Sequence, residues 1–274
     1  MEIKIAKDAG FCFGVKRAVE IAREKAKEGK VYTLGPLIHN PPMIEKLESE
    51  GVIPLNRDAE VKGKKIIIPS HGLPPEKFKE VLQQAKEVID ATCPFVKRAQ
   101  DMAKRLEKEG YTMVIIGDSE HPEVKSIAGN LQIAPFIFSS ADEIPENIPK
   151  RIGIVCQTTM NISLVREIVS FLLEKVEELK FIHTICNATA ARQQALKDIL
   201  KEVDGVIVIG GKNSANTRRL YNISLEAGKR TWWIERSKEL MGENFKNIKK
   251  IGITAGASTP EWAIQEVVEY LRNL

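Results

Sequence analysis

"DATCPFV", residues 90–96, sits between "EVI" (87–89), a short apolar run of strand type, and "FVKRAQDMAKRLEKEG" (95–110), which carries a helical pattern. Cys93 therefore falls at the carboxyl end of a strand, pinned by Pro94 where the next helix begins. The same form recurs along the chain. "KKIIIPS" (64–70), "YTMVIIGD" (111–118), "RIGIVCQ" (151–157), "GVIVIGG" (205–211) and "KIGITAG" (250–256) are Val/Ile-rich runs of the kind buried on both faces in a parallel sheet. "VYTLG" (31–35) and "RTWWIE" (230–235) read as further strands. Helices are expected at about 15–28, 42–50, 75–87, 95–109, 161–178, 188–202, 215–227 and 260–272. Gly29, Gly51, Gly110 and Gly228 stand where left-handed C-caps belong, and "STPE" (258–261) has the form of a capping box. Strand–helix alternation implies an α/β fold with parallel sheets and right-handed crossovers.

Composition narrows the function. The chain has 274 residues, a net charge of +4 and 28% charged residues of interspersed sign. That pattern argues against a nucleic-acid partner and suits an anionic small molecule. The apolar runs are too short to span a bilayer and the N-terminus lacks a signal-type apolar region, so a cytoplasmic protein is expected. In that compartment four cysteines are thiols or metal ligands rather than disulfides.

In parallel α/β folds ligands bind beyond the carboxyl ends of strands, where helix N-termini also point. Cys12, Cys93 and Cys186 all fall at such junctions, as do His39, His71 and His121 out of four histidines in the chain. Each alone reads as a small core thiol or a surface imidazole; together they suggest one site. Cys156 lies inside "GIVCQ" and reads as a core thiol. The cysteines are 81 and 93 residues apart with no C-x-x-C, which excludes a local zinc ribbon or ferredoxin loop. Only a fold that gathers three remote strand ends could use them together. Three thiolates on a four-iron cluster leave one iron able to bind a substrate oxygen. A hydroxyl leaves poorly without a proton, and Glu123 is the carboxyl best placed to supply one. Short donors and helix N-termini would hold a diphosphate. A zinc-dependent hydrolase of a phosphorylated small molecule and a non-catalytic iron–sulfur sensor remain the alternatives on these residues.

"GFCFGVKRAV" (10–19), "GPLIHNP" (35–41), "SHG" (70–72), "DATCP" (90–94), "HPEV" (121–124), "QTT" (157–159), "TICNATAARQ" (184–193), "GGKNSANTRRL" (210–220) and "TAGASTP" (254–260), in that order, resemble the 4-hydroxy-3-methylbut-2-enyl diphosphate reductase family, IspH or LytB. The resemblance implies three similar α/β lobes in a pseudo-threefold arrangement around a central [4Fe-4S] cluster. The lobes would be 13–93, 94–183, and 184–274 joined by the N-terminal strand 1–12. It implies removal of an allylic hydroxyl with two electrons and two protons, giving isopentenyl and dimethylallyl diphosphate plus water, as the last step of the non-mevalonate isoprenoid pathway. An external donor such as ferredoxin or flavodoxin would supply the electrons.

Carried onto this chain, Cys12, Cys93 and Cys186 match the cluster ligands, leaving one iron open. Glu123 matches the acid of the proton relay and Thr158 the threonine near the substrate hydroxyl. His39, His71, His121, Thr189, Ser214, Asn216 and Ser258 match substrate-binding positions. Ala215 stands where the family usually has a second serine, leaving its backbone N–H in place of a hydroxyl. Pro69 and Pro42 also depart from common family residues. These departures bear on diphosphate affinity, not on the cluster residues or Glu123.

Overall fold

The computed structural model describes residues 1–274 except His39, Arg57, Asp58 and Asn213, and except the side chain of Ala215. In chain order the first elements are β1 (Glu2–Ile5), α1 (Phe13–Ala26), β2 (Val31–Leu34), α2 (Pro41–Ser49), β3 (Val52–Leu55), β4 (Lys65–Ile68), α3 (Pro75–Gln84) and β5 (Glu87–Asp90). Then come α4 (Pro94–Lys108), β6 (Thr112–Ile116), α5 (Pro122–Ala128), β7 (Phe136–Phe138), β8 (Arg151–Cys156), α6 (Ile162–Leu173) and β9 (Glu178–Phe181). The last are α7 (Asn187–Leu200), β10 (Gly205–Ile209), α8 (Ala215–Glu226), β11 (Arg230–Ile234), β12 (Lys250–Ala255) and α9 (Glu261–Arg272).

The strands form three four-stranded parallel sheets, in the orders β1-β12-β10-β11, β3-β2-β4-β5 and β7-β6-β8-β9. The α/β class and parallel sheets expected from the sequence are therefore present. The reason is visible in the alternation. On β6, Val114 and Ile116 pack with Val165, Ile168 and Leu172 of α6. Met113 and Ile115 pack on the opposite face with Ala99, Ala103 and Leu106 of α4 and Val124 and Ile127 of α5. On β10, Ile207 and Ile209 meet Ile264, Val267 and Val268 of α9, while Val206 and Val208 meet Leu196, Leu200, Leu220 and Ile223 of α7 and α8. Both faces of each central strand are covered, so both side-chain sets are apolar.

The chain groups into two compact units. The first comprises residues 1–30, 36–54 and 187–274, and the second residues 31–35 and 55–186. The β1-β12-β10-β11 sheet belongs to the first, and the β7-β6-β8-β9 sheet to the second.

Several expectations require correction. β3 and β7 were not anticipated, and the strand implied before Cys186 had no bounds; it is β9, and all three are edge strands. An edge strand is covered less completely: β9 begins on an exposed Glu178 and includes Lys180, and β3 contains Pro54. Such strands lack the long apolar run that marked the central ones. The helix expected over 161–178 ends at Leu173 and leads into β9; that over 75–87 ends at Gln84. A seven-residue helix, α5, follows His121 where only a loop was read. "STPE" is not a capping box. The N-cap of α9 is Pro260, and the Thr259 hydroxyl donates instead to the Ile209 carbonyl at 2.9 Å, tying the loop after β12 to β10. The four C-cap glycines do adopt positive φ, from 69° to 122°.

Ile154 lies on the central strand β8 with no exposed surface. Ile154→Ala removes packing on the α6 side, and the expected loss is about 2–5 kcal/mol of stability, read by urea unfolding.

Candidate active site

In each sheet the chemically capable residues follow neighbouring strands. β4 and β5 are adjacent, and the turn after β4 carries His71 while the turn after β5 carries Cys93. The Cys93 N–H donates to the Ser70 carbonyl at 2.9 Å, so the two turns are joined. The His71 turn closes through the Gly72 N–H and the Pro69 carbonyl at 3.0 Å, with Gly72 at φ 77°. A Cβ there would lie 2.8 Å from Ser126 Oγ and 3.0 Å from Gln100 Nε2, so the turn demands glycine for both backbone and space.

In the β7-β6-β8-β9 sheet, β6, β8 and β9 are successive neighbours. Glu123 follows β6, Thr158 follows β8 and Cys186 follows β9. Thr158 joins all three. Its N–H donates to Glu123 Oε1 at 2.5 Å, its hydroxyl to Oε2 at 2.9 Å, and its carbonyl accepts the Cys186 N–H at 2.8 Å. Glu123 is 3% exposed, and burial pushes its carboxyl up from 4.5 to about 7 against the opposing pull of the Thr158 bonds. His121 caps α5, its Nδ1 accepting the Glu123 N–H at 3.1 Å. That bond makes Nε2 the N–H donor of the ring.

In the first unit, Cys12 is the N-cap of α1; its sulfur accepts the Val15 N–H at 3.4 Å, and its own N–H donates to the Ala257 carbonyl at 2.9 Å. Ser258 follows on that same loop and is buried, as is Thr189 near the start of α7. Ser214 caps α8 by accepting the Thr217 N–H, and Ala215 is the helix's first residue. Both Asn216 amide atoms, Oδ1 and Nδ2, are buried without a hydrogen-bond partner among the described residues. Buried amides are costly to leave unpaired, so this one is suited to a polar ligand. His39 lies outside the described residues.

Cys12, Cys93 and Cys186 are half-buried cysteines in no disulfide, and each immediately precedes a helix. Positive helix ends suit a thiolate ligand, so the donor chemistry of the three fits a sulfur-ligated iron centre. Cys12 belongs to the first unit and the other two to the second; among the described residues, no three His, Cys, Asp or Glu side chains are already gathered about one metal position. Cys156 is fully buried on β8, its thiol pushed up to about 12 by burial, as the core-thiol reading expected. Among the described residues no helix is long and apolar enough to cross a membrane.

Two polar residues inside the quoted motifs were given no role from the sequence. Gln157 accepts the Asp118 N–H at 3.1 Å and donates to Thr159 at 3.0 Å, bracing the loops on either side of Thr158. Arg192 is buried on α7. Their legible sign was polarity at positions where strand or helix periodicity demands an apolar side chain.

The raised Glu123 carboxyl has a measurable consequence. The folded chain holds this proton more tightly than the unfolded one, so the stabilising contribution is full below pH 4.5 and is lost as pH rises to about 7. Relative to Glu123→Gln, wild type is expected to lose about 3 kcal/mol over that interval in urea titrations. An infrared band of a protonated carboxyl should convert near pH 7 in wild type and be missing from the variant.

Comparison with known proteins agrees over the full chain. The family model described as LytB protein matches residues 3–272. A 4-hydroxy-3-methylbut-2-enyl diphosphate reductase of Aquifex aeolicus (strain VF5) is 46% identical over 280 residues, covering 100% of this chain and 97% of the relative. One from Geobacter sulfurreducens is 44% identical over 276 residues, covering 100% and 98%. Among solved structures, an (E)-4-hydroxy-3-methyl-but-2-enyl diphosphate reductase, described as the terminal enzyme of the non-mevalonate pathway, is similar at a TM-score of 0.79 and 45% identity, with both chains covered completely. The reductase from Plasmodium falciparum is similar at 0.87 and 29% identity, covering 100% of this chain and 87% of the other. With its motifs, its three parallel sheets and its length all matched, the chain belongs to the LytB protein family.

Proposed function

We infer that this chain reduces 4-hydroxy-3-methylbut-2-enyl diphosphate, the terminal reaction of the non-mevalonate pathway. Membership of the family implies an iron–sulfur reductase. The observation that carries the mechanism is Thr158: it grips a buried carboxyl that stays protonated to about pH 7 and, one peptide group away, holds the backbone of Cys186.

The cysteines Cys12, Cys93 and Cys186 are the proposed ligands of a [4Fe-4S] cluster with one iron left open. Such a cluster supplies Lewis acidity toward a hydroxyl and electrons one at a time. An external one-electron donor protein such as ferredoxin or flavodoxin is the proposed source of those electrons. The lobes 13–93, 94–183, and 184–274 with 1–12 are the proposed divisions of the chain; the first would hold Cys93, the third Cys186 and Cys12, and the second lies between Cys93 and Cys186.

The overall change breaks one carbon–oxygen bond: the allylic alcohol takes up two electrons and two protons, forming a carbon–hydrogen bond and releasing water. Glu123 and Thr158 handle the proton that leaves with the hydroxyl. With Glu123 protonated at Oε2, its O–H donates to Thr158 Oγ1, and the Thr158 hydroxyl is free to donate its own proton onward. Burial keeps that proton in place near neutral pH, where an exposed carboxyl would have lost it. His39, His71, His121, Thr189, Ser214, Asn216 and Ser258, with the Ala215 backbone N–H, are the proposed holders of the diphosphate. The His121 Nε2 donor and the unpaired Asn216 amide support that role. The zinc-hydrolase alternative gives way because the named relatives are reductases over their whole length.

Two measurements test the reading. Protein purified without oxygen should hold about four irons and four sulfides per chain and absorb broadly in the visible; one zinc with neither would overturn it. Glu123→Gln should keep substrate affinity while kcat drops by about 10²–10⁴-fold. Wild-type kcat should fall as pH rises above about 7, as the acid is lost. Unchanged turnover in the variant removes Glu123 from the proton relay.

A further inference from the structure

Arg192 is 3% exposed, a guanidinium inside α7 in a stretch, "NATAARQQ" (187–194), otherwise made of small or uncharged residues. Its two terminal nitrogens point to different segments. NH1 donates to the Ala188 carbonyl at 2.8 Å and NH2 to the Gly10 carbonyl at 2.7 Å. Ala188 is two residues after Cys186, and Gly10 is two residues before Cys12. One side chain thus grips the backbone beside two cysteines that are far apart in sequence.

The Gly10 segment is held on its other sides as well. Gly10 takes φ 101°, and a Cβ there would lie 3.3 Å from both Ile264 Cδ1 and the Thr259 carbonyl. The Cys12 N–H is bonded to the Ala257 carbonyl. The segment therefore sits between α9, the loop after β12 and the guanidinium, with no slack to take up if the guanidinium is shortened. Charge-assisted bonds to carbonyls are stronger than neutral ones, and the planar fork of arginine is what allows one group to serve two acceptors in fixed directions.

We propose that Arg192 is a positioning residue, a buried strap that holds the Cys12 segment and the start of α7 after Cys186 in one rigid ligand frame. The proposal rests on the assignment of those cysteines as cluster ligands. A ligand set built from remote segments loses its metal centre when one segment drifts, and Arg192 acts against that drift by gripping both backbones.

The test compares wild type with Arg192→Lys, which keeps the charge but reaches one carbonyl only, and with Arg192→Met, which reaches neither. Cluster loss to a chelator, followed anaerobically by the fading visible absorption, should be on the order of tenfold faster in Arg192→Lys and faster still in Arg192→Met, the effect of losing one and then two such bonds. In the apoprotein, alkylation followed by mass spectrometry should find Cys12 more reactive in both variants, while Cys93, held from the turn after β5, keeps its wild-type rate. Wild-type rates for cluster loss and for Cys12 in both variants overturn the proposal, whatever happens to thermal stability. Hydrogen exchange on wild-type apoprotein needs no variant to fold: the amides of 10–13 should be protected together with those of 188–192, and full exchange in 10–13 also overturns the strap. Wild type that never holds iron or sulfide refutes the ligand assignment instead, and alkylation and exchange then decide on the strap alone.

Discussion

Strands that pair in parallel must all end at the same edge of their sheet, and every crossover helix must start there. That constraint organises the chain. It brings His71 and Cys93 onto adjoining turns after β4 and β5, and Glu123, Thr158 and Cys186 onto adjoining turns after β6, β8 and β9. It does the same for Cys12 and Ser258 after β1 and β12. Residues that are distant in sequence become neighbours because strand order, not chain order, decides who sits beside whom. The apolar faces behind these edges are what make the edges rigid, since each central strand is covered on both sides.

Within this frame the electrostatics are spent on few groups. Most ion pairs, such as Arg23 with Glu50 or Arg151 with Glu178, are at the surface and contribute little. Glu123 is different. Among the described residues its surroundings offer two hydrogen bonds from one threonine and no counter-charge, and desolvation wins, so the neutral acid is the stable form up to about pH 7. A carboxyl that keeps its proton to about pH 7 is produced by removing water rather than by adding a charged neighbour.

The central strands were legible in the sequence because burial on both faces writes an unbroken Val/Ile run. Some edge strands were not: in β9 and β3, Glu178, Lys180 and Pro54 are tolerated at the edge and erase that run. Glu123 stood out in the sequence as a candidate acid from its place beside His121 at a strand end, yet its raised carboxyl depends on how deeply it is buried against Thr158, which no spacing encodes. Thr259 was misread for a related reason: a serine–threonine pair before a helix has the form of a cap, and only the neighbouring β10 carbonyl reveals that its hydroxyl is already engaged. Arg192 stood within a recognised motif without a role, since its two acceptors belong to segments that only the folded chain brings together.

Cys156 lies two residues before Thr158, nearer in sequence to the proposed proton relay than any other cysteine. Its placement in the middle of β8 keeps the thiol proton on at any physiological pH. A sulfur in that state neither attacks disulfides nor binds soft metals. The cluster proposed on Cys12, Cys93 and Cys186 would therefore find the fourth cysteine withheld, and an oxidant that stripped it would leave Cys156 out of any scrambling.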